Sequence, residues 1–209
     1  MKKFVKYCII VAIAVVTVIF SLDIQNLDKH NVADTADEFN AAAYARDIWE
    51  NKMPGAIGDA PALISLTKTL AADPETAFNN YGRKLGISKT YYFIAYGEGV
   101  IKSVNEENIV IVIKGGTQIR LATDFIFGNT VRDGSGIVDI DDFVNMTDFN
   151  NVSIELNNIV KEEIVPQLDE LAQPGMMVDF AGTFAVGEED VDVRNIRIVP
   201  VSVKLTNGE

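Results

Sequence analysis

The chain has 209 residues, 48% of them hydrophobic, with 18 basic and 30 acidic side chains and a net charge of −12. That acidity excludes nucleic acid and anionic lipid surfaces as partners, since both are held by clustered Lys and Arg. One cysteine and one histidine leave few metal ligands or general bases, and any folded body must hold together by packing without disulfides.

Lys2, Lys3 and Lys6 precede an apolar run from Tyr7 to Leu22, broken only by Thr17 and Ser21, and Asp23 follows at once. A basic flank, an apolar span and an acidic exit describe a segment inserted with its N-terminus in the cytoplasm. The run lies between the length of a signal-peptide core and that of a full span, so residues 1–22 read as either a signal-anchor or a signal peptide. Residues 4–22 are then the contact with the cytoplasmic membrane, and everything from Asp23 onward is exported. Taking Lys2, Lys3 and Lys6 from the total leaves 15 basic against 30 acidic residues in that exported part, a net charge of −15. Cys8 lies at the start of the run rather than after it, and reads as a small apolar residue within the span rather than a lipid attachment site.

Residues 23–35 are polar and unpatterned, a tether containing His30. A helical arm follows over residues 36–90. From Ala36 to about Lys52, Phe39, Ala42, Ala43, Ile48 and Trp49 recur at three- and four-residue intervals, and Pro54-Gly55 should end the helix. Asp59-Ala60-Pro61 reads as a cap for a second helix with the stripe Leu63, Leu66 and Leu70, and Asp73-Pro74-Glu75 opens a third that Gly82 closes.

After Gly86 the period becomes strand-like. Tyr91 to Ala95 and Val100 to Val104 flank Gly97-Glu98-Gly99, a place for a bend. Ile109 to Ile113, Thr117 to Thr123 and Ile137 to Val144 read as further strands, the last one an insertion. A helix carrying Val152, Leu156, Ile159, Val160 and Ile164 on one face follows, kinked or shortened by Pro166. Met176 to Val186 and Val193 to Leu205 close the chain as a hairpin around an acidic tip. The expected class is α+β: a helical arm on a curved antiparallel sheet over residues 91–205, with the element order of an OB-fold barrel, arm and barrel forming one unit.

The motifs Ala43-Tyr44-Ala45-Arg46-Asp47-Ile48-Trp49, Ala72-Asp73-Pro74, Tyr81-Gly82-Arg83 and Gly97-Glu98-Gly99 occur in order. So do Gly128-Asn129-Thr130-Val131-Arg132-Asp133, Asp142-Phe143-Val144-Asn145 and Pro174-Gly175 to Phe184. Together they resemble the uncharacterised bacterial periplasmic lipoprotein family known as domain of unknown function 2291, from about Phe39 to Val203. The resemblance implies an exported, membrane-tethered protein on the extracytoplasmic face, without an established activity. It also implies components of a sugar-importing ABC transporter as neighbours. The chain departs from the lipoprotein pattern in lacking a lipobox.

Arg132, Asp133, Asp142 and Asn145 are the candidate site residues. If the strand over Ile137 to Val144 turned Asp142 inward, Arg132 would be its bidentate partner. That arrangement is either a polar pocket for a small, sugar-like solute or a structural ion pair pinning the inserted strand. Tyr91, Tyr92, Phe93 and Tyr96 read as core packing rather than as a sugar-stacking platform, and Trp49 as a core anchor. Asp139, Asp141, Asp142 and Asp148 lack calcium-loop spacing. With no nucleophile beside a base, no phosphate-cradling loop and no metal-ligand set, no cofactor is expected, and the reading is a non-catalytic accessory or interaction protein. The alternative is a small-solute binding module.

Overall fold

The structure, a computed structural model, describes residues 39–206. The signal-anchor or signal peptide, Cys8, the tether and His30 lie outside the described residues. Among the described residues, no helix is long and apolar enough to cross a membrane.

Asn40 opens the first helix, α1 (Ala41–Asn51), by accepting from the Ala43 amide, 2.9 Å away. The helix ends ahead of Pro54, as the Pro54-Gly55 pair predicts, but no loop follows. The chain restarts at once as α2 (Met53–Gly58), with proline in the first turn, where its missing N–H has no helical partner to lose. The stripe Leu63, Leu66 and Leu70 is buried on α3 (Leu63–Ala72), although Asp59 does not cap it: the N-cap residue is Ala62. Asp73 does cap α4 (Pro74–Tyr81), through the Thr76 amide at 3.2 Å and the Thr76 hydroxyl at 2.6 Å.

Five strands close a barrel: β1 (Thr90–Val104), β2 (Asn108–Ile113), β3 (Gln118–Ala122), β4 (Met177–Gly187) and β5 (Arg197–Thr206). The order around the barrel is β1-β2-β3-β5-β4. All pairs are antiparallel except β3 with β5, which run parallel through Arg120 opposite Arg197 and Leu121 opposite Ile198. β1 spans the whole wall. It pairs β4 from Thr90 to Val100 and β2 from Gly99 to Val104, so the Gly97-Glu98-Gly99 bend lies where it passes from one neighbour to the other. A register shift between Ile101 and Ser103 adds curvature there.

Strand alternation sorts two cores. Phe93, Ile101, Ile111, Leu121, Phe180, Phe184 and Ile198 fill the interior, and α3 and α4 close one mouth by adding Leu63, Leu66, Leu70 and Phe78. Ile94, Ala181, Val199 and Val201 face outward from β1, β4 and β5 and are covered by side chains from α1, α2, α5 (Thr130–Ser135) and α6 (Met146–Ile159). Trp49 packs against this outer layer.

The inserted strand is not there. Ile137 to Val144 contains only a short 3-10 turn, Ile140–Asp142, and α5 precedes it. Asp139 sets the turn by accepting from the Asp141 amide at 3.0 Å, a local bond that competes with extended pairing. After α6 the helix widens into a π turn, Val160–Ile164, before continuing as α7 (Val165–Leu171). Pro166 is the second residue after that turn. It has no N–H to return to the preceding turn, and a one-residue shift of the hydrogen-bond ladder lets the helix run on rather than break.

Candidate functional site

Helix α5 sits directly on the barrel wall. A β-carbon on Gly134 would lie 2.8 Å from the Phe93 carbonyl oxygen and 2.8 Å from Cβ of Thr183, so only glycine allows that approach. Two of the predicted site residues are on this helix and are locked into the protein. Arg132 is 3% exposed, and its Nε donates to Asp133 Oδ1 at 2.7 Å. Its Nη1 donates to the Phe149 carbonyl at 3.1 Å and to Asn150 Oδ1 at 3.3 Å, and the guanidinium lies 3.5 Å over the Phe149 ring. Asp133 also accepts from Asn129, whose Oδ1 accepts from the Tyr92 hydroxyl at 3.2 Å. The chain Tyr92, Asn129, Asp133, Arg132, Phe149 therefore ties β1, α5 and α6 together.

Asp142 and Asn145 are elsewhere. The partner of Arg132 is its own neighbour, Asp133, and not Asp142. Asp142 is exposed on the 3-10 turn and accepts from the Tyr44 hydroxyl at 3.4 Å. Burial, then the Asp142 carboxylate, push the Tyr44 pKa up. Asn145 caps α6: its Oδ1 accepts from the Asp148 amide at 2.9 Å and its Nδ2 donates to Asp148 Oδ2 at 2.7 Å. The four candidates thus form a buried clamp, a cleft residue and a helix cap, not one pocket. The aromatic set divides as well. Tyr91 stacks on Phe78 at 4.2 Å and Phe93 on Phe184 at 5.3 Å, Tyr92 faces the opposite way to Asn129, and Tyr96 is exposed.

Three features are candidates for contact with other molecules. The first is a polar cleft of about 750 Å³ between α2, the end of α4 and the C-terminal end of α5, lined in part by Lys52, Asp59, Arg83, Asp139 and Asp142. The second is a more apolar groove of about 700 Å³ lined by Leu63, Ile64, Tyr96 and Phe180 among others.

The third is the loop after β3. Phe125 is 56% and Phe127 71% exposed, and Phe125 adopts φ +49°, a left-handed conformation that a bulky side chain rarely takes. Asp124 Oδ1 accepts from the Phe125 amide at 2.7 Å, and Arg197 donates to the carbonyls of Asp124 and Phe125. Burial, followed by the nearby Arg120 cation, lowers the Arg197 pKa. Arg83, Phe125 and Phe127 were not singled out as site residues. The apolar triplet Phe125-Ile126-Phe127 between a strand end and Gly128 was the available cue for the loop. Arg83 had only its place in a resemblance motif. Among the described residues there is no His, Cys, Asp and Glu cluster able to hold a metal ion.

The barrel order and the helix before the last two strands define an α+β protein of the OB-fold class. The chain belongs to the family described as predicted periplasmic lipoprotein, domain of unknown function 2291, whose model matches residues 10–204. That membership places it at the extracytoplasmic face of the membrane. It is similar to an OB-fold protein from Thermotoga maritima known from a crystal structure, at 27% identity and a TM-score of 0.72, over 81% of this chain and 99% of that one. A comparison with curated proteins finds no match.

Proposed function

We propose that the protein is a non-catalytic interaction protein, tethered at the extracytoplasmic face, that docks a protein partner through the loop Asp124–Gly128. The observation that carries this reading is the exposed pair Phe125 and Phe127 on a backbone held in a sparsely populated conformation. Such strain persists where surrounding structure enforces it and clusters at binding sites. Large aromatics are enriched at the centres of protein interfaces. Acidic composition favours a protein partner over a lipid or nucleic-acid one. The non-catalytic part rests on composition: the only histidine and the only cysteine both precede the folded body.

The partner to test first is the membrane component of a sugar-importing ABC transporter, the neighbour that the family resemblance implies. The full chain is co-expressed with that component in membranes and purified by its own tag. Co-purification that is lost in the Phe125→Ser/Phe127→Ser double variant, with melting temperature retained, supports both loop and partner. Equal recovery with the double variant removes the loop from the proposal, and no recovery with either protein removes the partner.

A further inference from the structure

Arg83 is held from several sides. Its amide donates to the Tyr92 carbonyl at 2.9 Å and its carbonyl accepts from the Tyr92 amide at 2.7 Å, which fixes its backbone to β1. Its Nη1 donates to the Gly134 carbonyl of α5 at 3.0 Å. Gly136, at φ +66°, faces the same side chain: a β-carbon there would lie 2.2 Å from Arg83 Nε. The fold thus leaves room for this guanidinium and orients it before any ligand arrives, which reduces the entropy lost on binding. Protein packed around its base lowers the Arg83 pKa, while the residue stays open to solvent at the cleft.

The cleft's charges lack counter-charges, although Asp139 and Asp142 each accept one hydrogen bond. Of the five N–H donors of the guanidinium, the described residues accept only from Nη1. Lys52 and Arg83 share the cleft with Asp59, Asp139 and Asp142, yet among the described residues none of these five enters an ion pair. A simple anion would meet three carboxylates, and a simple cation would meet two positive groups. An uncharged polyol would leave both sets without counter-charges. A molecule carrying both signs compensates all of them, and about 750 Å³ is within the range of small-ligand sites.

We propose that this cleft binds a small zwitterion of amino-acid or dipeptide size, its carboxylate on the Arg83 fork with Lys52 nearby and its ammonium on the Asp59, Asp139 and Asp142 side. The site is separate from the aromatic loop, and either proposal stands without the other.

The test uses the full chain in detergent and titration calorimetry with five probe classes: L-amino acids, dipeptides, acetate, methylamine and glucose. The expected result is saturable binding of amino acids or dipeptides only. Two variants should weaken it at least about tenfold. Arg83→Lys keeps the charge and loses the fork, and Asp139→Asn keeps an acceptor for the Asp141 amide while removing the charge. Unchanged circular dichroism shows that both variants fold. Binding of acetate or glucose as strong as that of the amino acids overturns the proposal. So does the absence of binding by any probe, or zwitterion binding that neither variant weakens.

Discussion

Gly136 lies against Arg83 so closely that the smallest side chain at residue 136 would occupy the space of the Arg83 Nε. Gly136 also ends α5 in the left-handed conformation, its amide donating to the Arg132 carbonyl at 3.2 Å. Gly136→Ala therefore meets two penalties, about 1–2 kcal/mol for the backbone and a further cost for displacing Arg83. We expect at least about 2 kcal/mol of lost stability in urea denaturation. A loss no larger than the backbone share would show that Arg83 moves aside freely, and an unchanged midpoint would contradict both penalties.

The Arg132–Asp133 pair should behave as a buried clamp. Removing the cation alone, in Arg132→Met, leaves the Asp133 carboxylate, on a residue 9% exposed, without its counter-charge and should cost about 3–5 kcal/mol. Adding Asp133→Asn to that variant removes the stranded charge and should return part of the loss. A double-mutant cycle by thermal denaturation measures this; additive losses would mean that the two side chains are not coupled.

Phe125 offers the opposite sign. Asn tolerates the left-handed region better than Phe, and the ring is more than half exposed, so Phe125→Asn should gain about 1 kcal/mol, or roughly 2–4 °C in melting temperature. If the loop is the docking surface, the same variant loses partner binding while gaining stability. Scanning calorimetry and co-purification together read both effects.

Thr183 has no exposed surface, and its hydroxyl has no hydrogen-bond partner among the described residues. Thr183→Val keeps the branched shape against Gly134 and removes the unmet polar group. An increase of about 1 kcal/mol in unfolding free energy is expected. A decrease would show that the hydroxyl is solvated in solution.

Asp73 carries a pH dependence. Bonds from the Thr76 hydroxyl and amide hold its pKa below the ordinary carboxyl value of 3.8. A depressed folded-state pKa means the charged form favours the native state. The contribution is complete above about 3.8 and is lost as pH falls through the lower folded value. Asn caps as well as Asp without titrating, so Asp73→Asn should match the parent at neutral pH and show a shallower loss of stability below pH 4. Parallel acid titrations followed by circular dichroism check this.

Elements with a strong period or a local stop were readable in the chain. The Leu63, Leu66 and Leu70 stripe, the Asp73 cap and the alternation of Ile119 and Leu121 each depend on residues a few positions apart. Ile137 to Val144 was misleading because the alternation of Val138, Ile140 and Val144 resembles a strand. The turn is decided by Asp139 bonding the Asp141 amide and by the absence of a free barrel edge for the segment to join. With that strand gone, the reason to aim Asp142 at Arg132 goes too. The true partner of Arg132 is adjacent in sequence, where proximity alone gives no hint of pairing.

From residue order came the acidity of the chain, the principal helices, the five barrel strands and the barrel class, since charge, periodicity and capping are properties of neighbours along the chain. The bare face of Gly136 that admits Arg83, the Tyr92-to-Phe149 polar chain and the exposure of Phe125 and Phe127 were decided only by the fold. Each joins segments tens of residues apart, and whether a side chain meets solvent, a carbonyl or a ring there depends on how closely α5 rests on the barrel wall.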